Sequence, residues 1–190
     1  MEPITYGKYY HIYNRGINGC VLFNAATNYH YFLALYGKYI APITENFAWC
    51  LMKNHFHFLV RMKDEEEIAS SSENAEYFLS RQFSNFFNAY SKAFNKKYHR
   101  HGALFERPFR RKLVEDEAYF LQLITYIHTN PVHHGLVESP KEYRWSSYNE
   151  ILAGNSVFID EFALIKHFED IENFIFVHEQ PKQALTITYW

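Results

Sequence analysis

Two apolar runs, Phe47 to Met52 and His55 to Met62, meet at Lys53-Asn54, and that spacing predicts a β-hairpin. Side chains alternate between the faces of a strand, so the second run divides into two sets. Phe56, Phe58 and Val60 share one face, and His55 and His57 share the other. Any fold built on this hairpin has to bury an aromatic surface and hold two imidazoles on the side opposite to it.

The remaining elements follow from periodicity. Tyr9 to Arg15 alternates as a first strand, broken by Asn14-Arg15-Gly16 and Asn18-Gly19, and a helix is expected from about Thr27 to Tyr39. From Ala75 to about Tyr98, the residues Leu79, Phe83, Phe86, Phe87, Tyr90 and Phe94 recur at amphipathic-helix spacing. Asp64 to Asn74 reads as an acidic loop. Leu104 to Val114 contains Pro108 and reads as a loop entering an edge strand that carries Arg110, Arg111 and Lys112. Glu117 to Asn130 is expected as a helix ended by Pro131. The first six elements give β-α-β-β-α-β, a ferredoxin-like α+β arrangement in which helices cover one face of an antiparallel sheet. The other face is then expected to be open to a ligand. Residues 1–150 are expected to form one domain, and 151–190 a helical C-terminal extension with short helices at Glu161 to Phe168 and Ile171 to Val177.

Charge is distributed unevenly. The net charge is −2, yet positions 92–112 carry eight Lys and Arg against the single acid Glu106. That block can contact phosphates, whereas the acidic stretch Asp64 to Glu76 and the acidic tail are expected to face away from an anionic ligand. No apolar run is long enough to span a bilayer, and Cys20 and Cys50 lack metal-knuckle spacing. A soluble, cytoplasmic protein in a reducing compartment is the expectation. Aromatic residues make up 19% of the chain, which fits either a ring-packed core or base-stacking surfaces.

Chemistry enters through spacing. His55 and His57 on one pleat can hold one metal ion, while Tyr126 and Asn130, four apart, place a phenol and an amide on one helix face. A divalent ion on the two histidines and Asn130, with Tyr126 as the nucleophile, would suit phosphoryl transfer on nucleic acid. Mixed nitrogen and oxygen ligands favour Mn2+ by preference and Mg2+ by abundance. Taken singly, each signal has a plainer reading. His-X-His is more often two packed or surface histidines, Tyr126 sits at the edge of the stripe of Phe120, Leu123, Ile124 and Ile127, and Asn130 can simply end a helix. The basic block can be a solvated face, and His99, His101, His133 and His134 read as loop residues.

Five ordered segments carry a resemblance. Tyr10-His11-Ile12-Tyr13-Asn14-Arg15-Gly16, Met52-Lys53-Asn54-His55-Phe56-His57-Phe58-Leu59-Val60 and Tyr126-Ile127-His128-Thr129-Asn130-Pro131-Val132 resemble successive motifs of the single-tyrosine HUH transposases. Gly102-Ala103-Leu104-Phe105-Glu106-Arg107-Pro108-Phe109 and Trp145-Ser146-Ser147-Tyr148 are similar to the subgroup of REP-associated tyrosine transposases. The resemblance implies a metal-dependent endonuclease and strand transferase acting on single-stranded DNA near hairpins through a 5′-phosphotyrosine. It implies His55, His57 and Asn130 as metal ligands, Mg2+ or Mn2+ as cofactor, and Tyr126 as nucleophile. Arg15, Lys53, Arg107, Arg110, Arg111 and Lys112 are the expected DNA contacts, and a homodimer is among the states it allows. Lys53 stands where many relatives carry proline. Two rival readings are a domesticated hairpin-binding module without turnover and a metallohydrolase that uses activated water.

Overall fold

The computed structural model describes residues 3–68 and 75–180. The order is β1 (Tyr9–Arg15), α1 (Ala26–Tyr39), β2 (Thr44–Met52), β3 (His55–Met62), α2 (Ala75–Lys97), β4 (Arg110–Val114) and α3 (Glu117–His133). Three short helices follow, α4 (Tyr148–Ala153), α5 (Glu161–Lys166) and α6 (Ile171–Glu179). The four strands form one antiparallel sheet in the order β2-β3-β1-β4, so the expected ferredoxin-like arrangement is borne out. Of the expected acidic loop, Glu65–Glu67 forms a single 3-10 turn, and 69–74 lie outside the described residues.

Alternation assigns the sheet's two faces. Phe56 and Phe58 of β3 meet Phe32 of α1 at ring separations of 5.2 and 6.3 Å, Tyr36 stacks on Phe58 at 4.6 Å, and Phe56 reaches Phe87 of α2 at 5.6 Å. This aromatic layer is the main core, and it accounts for much of the chain's aromatic content. Burying each large ring contributes roughly 1.5–3 kcal/mol, which the long amphipathic stripe of α2 supplies several times over.

The opposite face is not left open. The apolar stripe of α3, with Phe120, Leu123, Ile124 and Ile127 all buried, needs a surface to cover, and it crosses this face over β2 and β3. Asp116 starts the helix by accepting a hydrogen bond from the Tyr119 amide at 2.7 Å. The helix does not stop before Pro131 but runs through it to His133. The ring removes one amide donor in the final turn only, and a Schellman cap compensates: Leu136 N donates to Pro131 O and Gly135 N to Val132 O, with Gly135 at φ +66°. His133 and His134 therefore end and cap a helix instead of lying in a loop.

The segment Trp145 to Tyr148 covers the outer edge of β2. Leu51 N donates to Trp145 O and Ser147 N to Trp49 O, while Ser147 Oγ accepts from Trp49 N at 2.9 Å. An edge that would otherwise present open backbone groups is thereby closed. The extension packs onto α3 through its last helix: His178 Nε2 lies 2.9 Å from His128 Nδ1, and His128 Nε2 lies 2.8 Å from Ser147 Oγ. Asp160 and Asp170 cap α5 and α6.

Candidate active site and metal centre

Because β1 is hydrogen-bonded beside β3, the register sets Tyr13 opposite His57 and Arg15 opposite His55. His11, Tyr13 and Arg15 share the face that carries the two histidines. Above them, α3 brings Asn130 over His55 and Tyr126 over His57. Nε2 of His55 lies 3.1 Å from Oδ1 of Asn130, and the Tyr126 ring meets the His57 ring edge-on at 5.7 Å. The four residues singled out for chemistry are thus brought together. His55, His57 and Asn130 are buried, and Tyr126 is half-buried.

Each imidazole is oriented through its other nitrogen. His55 Nδ1 lies 2.8 Å from Asn54 Oδ1, and His57 Nδ1 lies 2.9 Å from Nε2 of His11. Burial pushes the pKa of His55 down to about 4 and that of His11 to about 3, and holds His57 well below its ordinary value. All three are therefore neutral at pH 7, the form that binds metals. A neutral His55 has one N–H for two oxygen acceptors, Asn54 Oδ1 and Asn130 Oδ1. In the tautomer whose Nδ1–H donates to Asn54, a bare Nε2 lone pair faces the Asn130 oxygen; in the other, Nε2–H donates to Asn130 and the Nδ1 lone pair faces Asn54.

The first opposition, between Nε2 and the Asn130 oxygen, is what a cation would resolve. Two ligands at about 2.1 Å from one ion and at right angles to each other lie about 3 Å apart, the separation of this pair. Each histidine also engages its second ring nitrogen, as metal-binding histidines usually do. The donor set fits a divalent ion. Among the described residues no group of three or more His, Cys, Asp or Glu side chains is arranged to hold a metal, and the oxygen donor beside His55 on this face is the amide of Asn130.

Tyr126 is tied to the same amide. Burial pushes its pKa up to about 12, and a hydrogen bond with the Asn130 side chain opposes that shift. With Oδ1 turned to His55, Asn130 has Nδ2 to donate to the phenol oxygen, which favours the phenolate. His133 stacks near the Tyr126 ring at 6.1 Å.

Three of the six expected DNA contacts lie at or next to Glu106, and the other three are dispersed. Arg15 Nε donates to Glu106 Oε1 at 2.5 Å, Arg110 lies 3.7 Å from Glu106 Oε2, and Arg107 is exposed in the adjoining loop. Lys112 shares the histidine face, with Nζ 4.4 Å from the Tyr119 ring, whereas Arg111 points to the other face and lies over Phe109 at 5.4 Å. Lys53 is exposed in the β2–β3 turn.

Two contributions were not singled out from sequence. His11 orients His57, and strand alternation in Tyr9 to Arg15 carried the signal, but only the β3-β1 pairing shows which histidine it meets. His134 caps α3 with its ring 5.0 Å from His55. That position follows from the continuation of the helix through Pro131.

No family model matches the chain. It is 28% identical over 107 residues to a protein of Haemophilus influenzae assigned to the REP-associated tyrosine transposases, covering 55% of this chain and 59% of that one. In fold it matches a solved REP-associated tyrosine transposase bound to a REP hairpin, with a TM-score of 0.62, 15% identity, and coverage of 80% and 83% of the two chains. The chain is similar to the REP-associated tyrosine transposases. The resemblance read from its motifs is borne out, by sequence in the first comparison and by fold in the second. The chain spans about three fifths of the length of the curated relative it matches. No helix among the described residues is long and apolar enough to cross a membrane.

Proposed function

We propose that this chain is a metal-dependent transposase-like enzyme that cuts and rejoins single-stranded DNA beside a hairpin, with Tyr126 as nucleophile. The observation that carries the reading is the meeting of His55, His57, Tyr126 and Asn130 across β3 and α3, with Asn130 bridging His55 and the phenol and the Tyr126 ring set against His57. A pure binding module would have no need of that constellation. The similarity to REP-associated tyrosine transposases supports the choice of a hairpin as the recognition element.

A divalent ion held by His55, His57 and Asn130 would neutralise the phosphoryl oxygens and so lower the barrier to nucleophilic approach. The chain's own residues supply the rest. Asn130 Nδ2 stabilises the phenolate of Tyr126, and the rigid helical turn between the two fixes the direction of attack. The Tyr126 oxygen bonds to phosphorus as the bond from phosphorus to the 3′ oxygen breaks. The phenol gives up one proton and the departing 3′ oxygen gains one. One phosphorus–oxygen bond replaces another, so the phosphotyrosine can be rejoined to a 3′-hydroxyl without an outside energy source.

The test is incubation of labelled hairpin-flanked single-stranded DNA from beside the chain's own gene with Mn2+, comparing wild type with Tyr126→Phe on denaturing gels. A protease-sensitive covalent adduct in the wild type alone is the expected result. Cleavage without adduct in Tyr126→Phe would transfer the reaction to activated water. Binding without cleavage by the wild type would make the chain a binding module.

A further inference from the structure

Helix α3 meets the sheet through its apolar stripe of Phe120, Leu123, Ile124 and Ile127, and the two borders of that stripe differ. At about 3.6 residues per turn, Tyr126 and Asn130 fall on one border, over the histidine pair, and His128 falls on the other, turned to α6 and the edge of β2. His128, Ser147 and His178 are buried, and burial holds both imidazoles neutral at pH 7. Each ring therefore carries one N–H, and a single carbonyl decides where it sits. His178 Nδ1 lies 2.6 Å from Phe174 O, which can only accept, so His178 donates from Nδ1 and accepts at Nε2. His128 then donates from Nδ1 across 2.9 Å to that nitrogen. Its own Nε2 is left to accept from Ser147 Oγ at 2.8 Å, in preference to Trp49 O at 3.3 Å from the same hydroxyl. Ser147 Oγ in turn accepts from Trp49 N at 2.9 Å. The result is one directed chain of hydrogen bonds from β2 through α3 to α6.

We infer that Ser147 and His178 are positioning residues: acting through His128, they fix the roll of α3 and so the place of Tyr126 and Asn130 over the histidine pair. The inference rests on the function proposed above. Apolar contacts are non-directional, so the stripe alone sets how closely α3 approaches the sheet and holds its rotation loosely. Hydrogen bonds are directional, and His128 makes two of them midway in sequence between Tyr126 and Asn130. The lever is short. A roll of about 10° moves a side-chain tip about 6 Å from the helix axis by about 1 Å. A misplacement of about 1 Å can lower a rate by about 100-fold. The same roll would change the separation of His55 Nε2 and Asn130 Oδ1, now 3.1 Å. Rings close the chain off from water, with Phe174 4.3 Å and Tyr148 5.0 Å from the His178 ring, so a lost partner is not readily replaced. The C-terminal extension, outside the ferredoxin-like core, thereby takes part in holding the nucleophile.

The experiment measures the rate of covalent adduct formation at saturating hairpin-flanked single-stranded DNA with Mn2+, and separately the Kd for that DNA, well below each variant's unfolding midpoint. His178→Phe keeps a ring among Phe168, Phe174 and Tyr148 but removes both nitrogens. Ser147→Ala breaks the chain from the β2 side, and His178→Gln keeps an oxygen that can accept from His128. The expected result is a rate lowered at least about tenfold in His178→Phe and Ser147→Ala and within about threefold of the wild type in His178→Gln, with the Kd unchanged in all three. Nitrogen-15 NMR of the wild-type imidazoles, which needs neither turnover nor a variant, should find the proton on Nδ1 of both His128 and His178. A proton on Nε2 of either ring overturns the directed chain. A wild-type rate in either His178→Phe or Ser147→Ala, a loss that His178→Gln does not restore, or a loss confined to the Kd overturns the positioning role, and the proposed function stands. If the wild type forms no adduct, the proposed function falls and the positioning role with it.

Discussion

Phe58 and His57 are adjacent in β3, yet they face opposite surroundings. Phe58 enters a layer of rings contributed by α1 and α2, where nothing needs a partner beyond close packing. His57 enters a buried polar layer under α3, where His11, His55 and Asn130 must each be matched by a hydrogen-bond partner or a cation. The first face stabilises the chain; the second holds neutral imidazoles and an amide close together, as the proposed metal site requires, at a cost in stability that the first offsets. A half-buried strand lets one sequence serve both ends because its side chains alternate.

The widest difference between the faces should appear in acid. His11, with a pKa lowered to about 3, and His55 and His178, at about 4, bind fewer protons in the folded chain than in the unfolded one, where imidazoles titrate near 6.5. His57 and His128 are shifted in the same direction. Stability is therefore fully present above about pH 6.5 and falls as the pH drops toward about 4, by up to about 1.4 kcal/mol per pH unit for each imidazole. Denaturant unfolding between pH 7.5 and 5 with a chelator present measures the slope. His11→Phe should reduce it and Phe58→Leu should leave it unchanged; a slope that ignores His11 would break the contrast.

Next in size is the core. Phe58→Ala should cost about 3–5 kcal/mol in urea unfolding at pH 7.5, since it opens a cavity between Phe32 and Tyr36. A smaller effect, about 1–3 kcal/mol, is expected for Ser147→Ala, which leaves Trp49 N and His128 Nε2 without their shared partner inside the protein. Smallest for the fold is Arg107→Ala. Its stability should be within about 0.5 kcal/mol of the wild type, while the salt dependence of hairpin binding loses about one phosphate contact.

Much of this was legible in the sequence. The hairpin at Lys53-Asn54, the strand boundaries His55–Met62 and the α2 stripe follow from periods of two and 3.6 residues, which survive folding because burial enforces them. His55, His57, Tyr126 and Asn130 were legible as two local pairs, and the structure joins the pairs. What was not legible depends on contacts between distant segments. His11 needed the β1–β3 pairing, Ser147 needed the edge of β2, and His178 needed α6 set against α3. Pro131 misled for a local reason: a missing amide near a helix end removes little, and Gly135 caps the turn beyond it.

The central claim is that the polar face is a metal site completed by α3, and calorimetric titration of Mn2+ into the wild type and into His55→Gln and Asn130→Ala tests it most directly. One ion per chain bound by the wild type, with affinity reduced at least about tenfold in both variants whose unfolding remains cooperative, is the predicted result. Binding that is absent in the wild type, or undiminished in both variants, would contradict it.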